Sequence, residues 1–160
     1  MSIQPFFDIN IKIENKKLLC WFVANGEAIT ELRMVAFIKE MDDIVKSFYD
    51  EQVTNVHFIF NLEKITIPSN FTLLEEYAAM FRSHDVVLRN KLKFTIIQNK
   101  SNVFRIFFKM FKQYYNPVKP LYLCLNHEEV QCCLHDNSKR NNFPNIVSII
   151  QESSNEDTST

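Results

Sequence analysis

A single glycine, Gly26, serves all 160 residues of this chain. Glycine-rich phosphate loops, dinucleotide fingerprints and nucleophile elbows each need glycine where backbone approaches a ligand or takes positive φ. Its near absence argues against the nucleotide-binding proteins and hydrolases built on those loops. Charge of one sign is missing too. Lys plus Arg number 18 and Asp plus Glu 19, a formal net charge of −1, so no global field draws in nucleic acid or an anionic membrane. The four cysteines lack CxxC spacing and read as reduced thiols of an intracellular protein rather than a disulfide framework. No apolar run reaches membrane-spanning length, and Met1-Ser2-Ile3-Gln4-Pro5 carries neither a basic nor a long apolar leader segment. The expectation is a soluble, cytoplasmic or otherwise intracellular protein that needs no cofactor.

What is abundant is phenylalanine, at 15 residues, within an apolar fraction of 46%. That length and composition suit one domain with a substantial core. Phe6–Ile13 alternates apolar and polar residues, the signature of a half-buried strand, and a turn at Glu14-Asn15-Lys16-Lys17 leads to a second strand, Leu18–Val23. From about Glu27 to Asp50, Met34, Phe37, Ile38, Met41, Ile44, Val45 and Phe48 recur at helical spacing.

The central stretch runs from Asn55 to Phe81. It joins a buried strand (Val56–Leu62), a polar loop (Glu63–Asn70) and a helix in which Leu73, Leu74, Tyr77, Ala78 and Phe81 share a face. The helix is expected to continue through Asn90, with His84-Asp85 exposed. A strand at Lys93–Gln98, a helix at Asn102–Tyr115, a strand at Val118–Leu125 and a short helix at Glu128–Leu134 follow. Pro120 puts that last strand at or near an edge. From Asp136 the chain turns polar.

The expected fold is α/β. It is a mixed sheet of four to five strands in the order β-β-α-β-α-β-α-β-α, with helices mainly on one face, over residues 1–135, followed by a flexible polar tail at 136–160.

That order resembles the STAS domain of anti-sigma-factor antagonists and sulfate transporters, over roughly Phe7–Leu134. The most suggestive part is Val56–Glu63 followed by Ile65–Phe71 and Leu73-Leu74. In the family an apolar strand ends in Asp-Leu, and an Asp-Ser-Ser-Gly-Leu loop opens a helix. Asn61-Leu62 stands in for the first pair and Ser69 for the loop serine that bacterial members phosphorylate. The Asp before that serine and the Gly after it are missing here. The resemblance implies a non-enzymatic interaction or regulatory module with a protein partner, phospho-regulated at the loop. The alternative is a small Sec14-like binder of lipid or another apolar ligand, suggested by the excess of Phe and Met.

Four groups of residues are candidates. Ser69, Asn70 and Thr72 lie at the start of a helical pattern, where a helix cap is the plainer reading and a phosphorylatable residue the functional one. Phe104, Arg105, Phe108, Lys109 and Lys112 belong to a helix apolar around most of its circumference, which suits a contact patch or simple burial beneath flanking helices. Ile146, Val147, Ile149 and Ile150 form a short β-prone run before acidic residues. The run resembles a SUMO-interacting motif, and packing back on the domain or simply fraying is the plainer reading. His127, Cys132, Cys133 and His135 invite a zinc reading but lack paired ligand spacing, so buried structural cysteines are favoured and no metal is assigned. Nothing pairs a nucleophile with a base, so no enzyme activity is assigned.

Overall fold

The computed structural model describes residues 4–66, 73–101, 103–117 and 119–150. Its first elements are strands β1 (Phe7–Glu14) and β2 (Lys17–Ala24), joined by a two-residue turn and paired antiparallel from Phe7↔Ala24 to Glu14↔Lys17. Asn15 (φ 53) and Lys16 (φ 64) are both left-handed, the geometry of a type I′ turn, whose twist matches that of the strands. Lacking glycine there, the chain uses an Asn at the first position, where a short polar side chain tolerates that region. The lone glycine, Gly26, has φ 90 just after β2.

Helix α1 (Glu31–Lys46) begins where the Thr30 hydroxyl accepts the Arg33 N–H at 3.2 Å, a cap contributing about 1 kcal/mol. It buries Met34, Phe37, Met41 and Val45 and ends in a 3-10 turn at Ser47–Tyr49. Strand β3 (Val56–Asn61) follows, then α2 (Leu74–Ser83), α3 (Asp85–Lys91), β4 (Leu92–Gln98), α4 (Val103–Phe111), β5 (Leu121–Cys124), α5 (His127–His135), a 3-10 turn at Asn137–Asn142 and β6 (Val147–Ile150).

Among the described residues the sheet has six strands in the order β1-β2-β3-β4-β5-β6. β2 to β5 are mutually parallel, and β1 and β6 flank them antiparallel. Two expectations are thereby corrected. The sheet exceeds four to five strands, and part of the expected polar tail, 147–150, is its sixth strand. A four-residue apolar run is too short to announce a strand by periodicity, and it became one because β5 left an edge to pair with. The long helix expected through Asn90 is also divided. It breaks at His84, which is buried rather than exposed.

A strand order that never reverses has a consequence for where helices go. Crossovers of one hand place them all on the same face. Buried residues of α1 through α4 accordingly share one cluster with Cys20, Phe22, Phe58 and Ile97 of the sheet. The opposite face carries α5, packed by Val130, Cys133 and Leu134 onto Leu19, Ile59, Ile96 and Tyr122, with Arg140 of the following 3-10 turn over the Tyr122 ring. A monotonic order also has no topological switch point, the crevice at which open α/β sheets usually take ligands. Topology therefore does not single out the loop after β3. Among the described residues no helix is long and apolar enough to cross a membrane.

Candidate functional site

The crossover face is not filled. Between the sheet and its helices lies a cavity of about 150 Å³. Ten of the 15 phenylalanines line it: Phe6 and Phe7 at the start of β1, Phe37 from α1, Phe58 and Phe60 from β3, Phe81 from α2, and Phe104, Phe107, Phe108 and Phe111 from α4. The strand residues reach it because alternate side chains of a strand share a face. On α4, spacings of three and four residues do the same. Large flat rings held at fixed backbone separations leave gaps that aliphatic side chains would close. The Phe22 and Phe60 rings stack at 4.6 Å, and Phe104 and Phe108 stack at 5.6 Å. Tyr77 sits in the wall with its ring edge-on to Phe81 at 4.9 Å.

The cavity is electrically neutral. Among the described lining residues, polar groups come only from Tyr77, Thr95 and Asn99. Burial raises the Tyr77 phenol above its ordinary value, so it stays a protonated donor at every physiological pH. Asn99 is tied down, its side-chain oxygen accepting the Ser101 N–H at 2.8 Å and its own N–H donating to the Cys124 carbonyl. Ile29, Leu62, Ile65 and Asn99 border the cavity from loops at the carboxyl ends of the parallel strands. No lining residue among these is a cation, a carboxylate or a nucleophile paired with a base. A dry apolar cavity of ~150 Å³ in another protein takes up benzene or xenon, which sets the size of guest this one accommodates.

The expected patch on α4 is divided by the helix itself. Phe104 and Phe108 are buried in the cavity wall, while Arg105, Lys109 and Lys112 point to solvent beside the exposed Ile106 and Met110. Ser69, Asn70 and Thr72 lie outside the described residues. Ile146 packs against the cluster under α5 and Ile149 against the crossover-face cluster, while Val147 pairs with Leu123 and Ile150 with Leu121 in the ladder. The run expected as a strand-adding motif thus already gives one edge to β5.

The four residues of the zinc reading diverge. His127 meets Gln131 at 3.1 Å, His135 meets Glu14 at 3.3 Å, Cys132 approaches the Asp136 carbonyl, and the Cys133 sulfur lies 3.9 Å from that of Cys124. Among the described residues no three His, Cys, Asp or Glu side chains gather as metal ligands. The neighbouring Cys133 sulfur and burial hold the Cys124 thiol protonated.

A polar constellation invisible to sequence reasoning sits at the α2–α3 break. His84 joins the Asp42 carboxylate through Nε2 at 2.6 Å and the Tyr49 hydroxyl through Nδ1 at 2.9 Å. Lys46 completes it at 2.9 Å from Asp42. The bonds from His84 and Lys46 hold the Asp42 carboxyl below its ordinary value. With Nε2–H donating to Asp42, Nδ1 accepts from Tyr49. The geometry is that of a tie between α1 and the break. Its partners are 35 and 42 residues apart in sequence, so no local spacing could have revealed it.

No protein-family model matches this chain, and no match was found among curated proteins or solved structures. The class that the fold and cavity define is therefore the whole identification: a mixed α/β sheet with a phenylalanine-lined cavity under its crossover helices.

Proposed function

We propose that this protein is a non-enzymatic binding module for a small, neutral, apolar ligand, held in the cavity between the sheet and α1, α2 and α4. The observation that carries the proposal is the lining of phenylalanine around about 150 Å³ of unfilled space. Ligand pockets are mostly apolar with few polar groups that fix orientation, and Tyr77, Thr95 and Asn99 are those groups here. A carboxylate would lose its hydration without gaining a cation, so the ligand is uncharged.

The test is calorimetry and thermal unfolding with indole and toluene as neutral probes and benzoate as the anionic control. The neutral probes are expected to bind and to add about 1.4 kcal/mol of stability at ten times Kd, with no effect of benzoate. Ile97→Phe, which enlarges a lining side chain, is expected to fold and to lose binding. Absence of binding by either neutral probe, together with no ligand in an organic extract of the purified protein, would refute the proposal.

A second reading rests on the outer face of α4. Arg105, Lys109 and Lys112 beside Ile106, 64% exposed, and Met110, 39% exposed, offer a mixed basic and apolar surface. That surface suits the protein partner of a STAS-like interaction module, with Ser69 as its phosphorylated residue. Charge reversal at Arg105 and Lys109 distinguishes the two readings, because it removes partner binding and leaves the cavity untouched.

A further inference from the structure

Among the described residues the sheet ends on one side in β1, eight residues long, whose only described strand neighbour is β2. Two observations fix which backbone groups face outward. The two-residue turn makes Glu14 and Lys17 the closing hydrogen-bonded pair, and the Asn25 N–H bonds the Phe6 carbonyl at 3.1 Å. Bonded positions alternate in an antiparallel ladder. Residues 6, 8, 10, 12 and 14 therefore bond inward to β2 and its extension. The N–H and C=O groups of Phe7, Ile9, Ile11 and Ile13 face the open edge, where no described backbone group pairs with them. On the same stretch Ile11 is 44% and Ile13 78% exposed. A long edge with bare aliphatic side chains is a template for another strand.

We infer that β1 is a homodimer interface, pairing antiparallel with β1 of a second copy about a two-fold axis through Asn10. The register follows from charge. Only outward-bonding residues can face one another, so the candidate registers differ by steps of two. With the axis at Ile11, Asp8 faces Glu14 twice, acid against acid. With it at Lys12, the two lysines face each other. With it at Ile9, Lys12 is left without a partner of opposite sign. With the axis at Asn10, Asp8 faces the partner's Lys12 twice, Ile9 faces the partner's Ile11, and Phe7 faces the partner's Ile13. The Phe7–Ile13 and Ile9–Ile11 pairs exchange ladder hydrogen bonds. The Asp8–Lys12 pairs fall at non-hydrogen-bonded sites, where opposing side chains come closest.

A single copy uses these charges weakly. Lys12 lies 3.5 Å from Glu14 at an exposed site, and Asp8 accepts only the Asn25 amide at 3.2 Å. The two-fold axis runs perpendicular to the sheet, so the crossover helices of both copies lie on one side and the exposed isoleucines become enclosed between them. An isologous contact of this kind closes on itself, leaving β6 as the outer edge of a continuous sheet. Among the described residues that edge is four residues long, half the length of β1.

The experiment is sedimentation equilibrium of the full chain over micromolar to submillimolar concentration, with circular dichroism confirming that each variant is folded. Wild type is expected to be dimeric at the upper end. Lys12→Glu sets an acid against Asp8 at two places and should raise the dimer Kd by about tenfold or more. Asp8→Lys combined with Lys12→Glu restores both pairs and should return Kd to near the wild-type value. Ile11→Pro removes an outward N–H without touching the β1–β2 ladder and should give a folded monomer. A wild type monomeric throughout overturns the inference. So does a dimer indifferent to Lys12→Glu and Ile11→Pro, or a double variant that fails to restore association.

Discussion

Under α5, Leu19, Ile59, Ile96 and Val130 are enclosed in a mostly aliphatic cluster whose one buried ring is Tyr122. On the crossover face, the same strands present Phe22, Phe58 and Phe60 to the crossover helices and leave about 150 Å³ unfilled. The contrast is one of side-chain shape against helix spacing. A single short helix settles directly onto the mostly aliphatic side chains beneath it. Four helices tethered to consecutive strands are spaced by the sheet, and stacked rings must bridge whatever distance results. A filled face contributes stability at every methylene, while a gapped face has given some of that up. Space that weakens packing and persists beside aromatic rings is what a ligand would occupy.

The largest expected effect breaks the filled face. Ile59→Ala removes a side chain that is 0% exposed from surroundings that cannot collapse, and should cost about 3–5 kcal/mol in urea unfolding. A loss under about 1 kcal/mol would mean that the face under α5 is as loosely packed as its opposite.

A smaller effect comes from His57, which shares that face. Its Nδ1–H donates to the Asn55 carbonyl at 2.9 Å, and its ring stands edge-on to Phe94. Burial drives its pKa down to about 4, with Lys17 and Lys93 adding to the effect and the bond to Asn55 opposing it. The unfolded chain therefore binds the proton more readily than the folded one. Stability from neutral His57 is complete above an unfolded pKa of about 6.5 and is lost as pH falls from there towards 4, with about 2 kcal/mol of the loss falling between pH 7 and pH 5. Unfolding free energies of wild type and His57→Phe compared at pH 7 and pH 5 isolate it. A difference that does not change with pH would place His57 in a wetter setting than its burial implies.

The alternation of β1, the apolar run of β2 and the helical spacing of α1 were legible in the sequence because they are local patterns, and the strand–helix alternation pointed to a mixed α/β sheet. The rest depends on what local patterns cannot carry. The sixth strand was legible only as a short β-prone run, and its place in the sheet was not, because Val147–Ile150 takes its partner from the open edge of β5. His84 looked exposed because it follows Arg82 and Ser83, whereas Asp42 and Tyr49 enclose it from α1 and the turn beyond. As for the cavity, the excess of phenylalanine hinted at one, and the spacings of α4 put Phe104 and Phe108 on a common side. Whether rings from several elements fill the space between them is a property of three-dimensional packing alone.

The smallest effects give the sharpest comparison, because they come from neighbouring residues of one strand. Ile96 and Ile97 are successive in β4, nearly equally buried, and point to opposite faces. Ile96 lies beside Ile59 and Tyr122 on the filled face, and Ile97 lines the cavity. Replacing either with Phe adds the same atoms in the same strand, so propensity and unfolded-state effects nearly cancel. Ile96→Phe has nowhere to put them without moving α5, and overpacking of that kind costs about 1–3 kcal/mol. Ile97→Phe extends into space that already exists, and its cost should stay below about 1 kcal/mol, because dispersion attraction to the surrounding rings offsets the strain. Urea midpoints of the two variants, measured side by side, decide it. Equal losses would mean that the cavity closes in solution by repacking of the phenylalanine rings, and the space would then be no more available to a ligand than the core under α5.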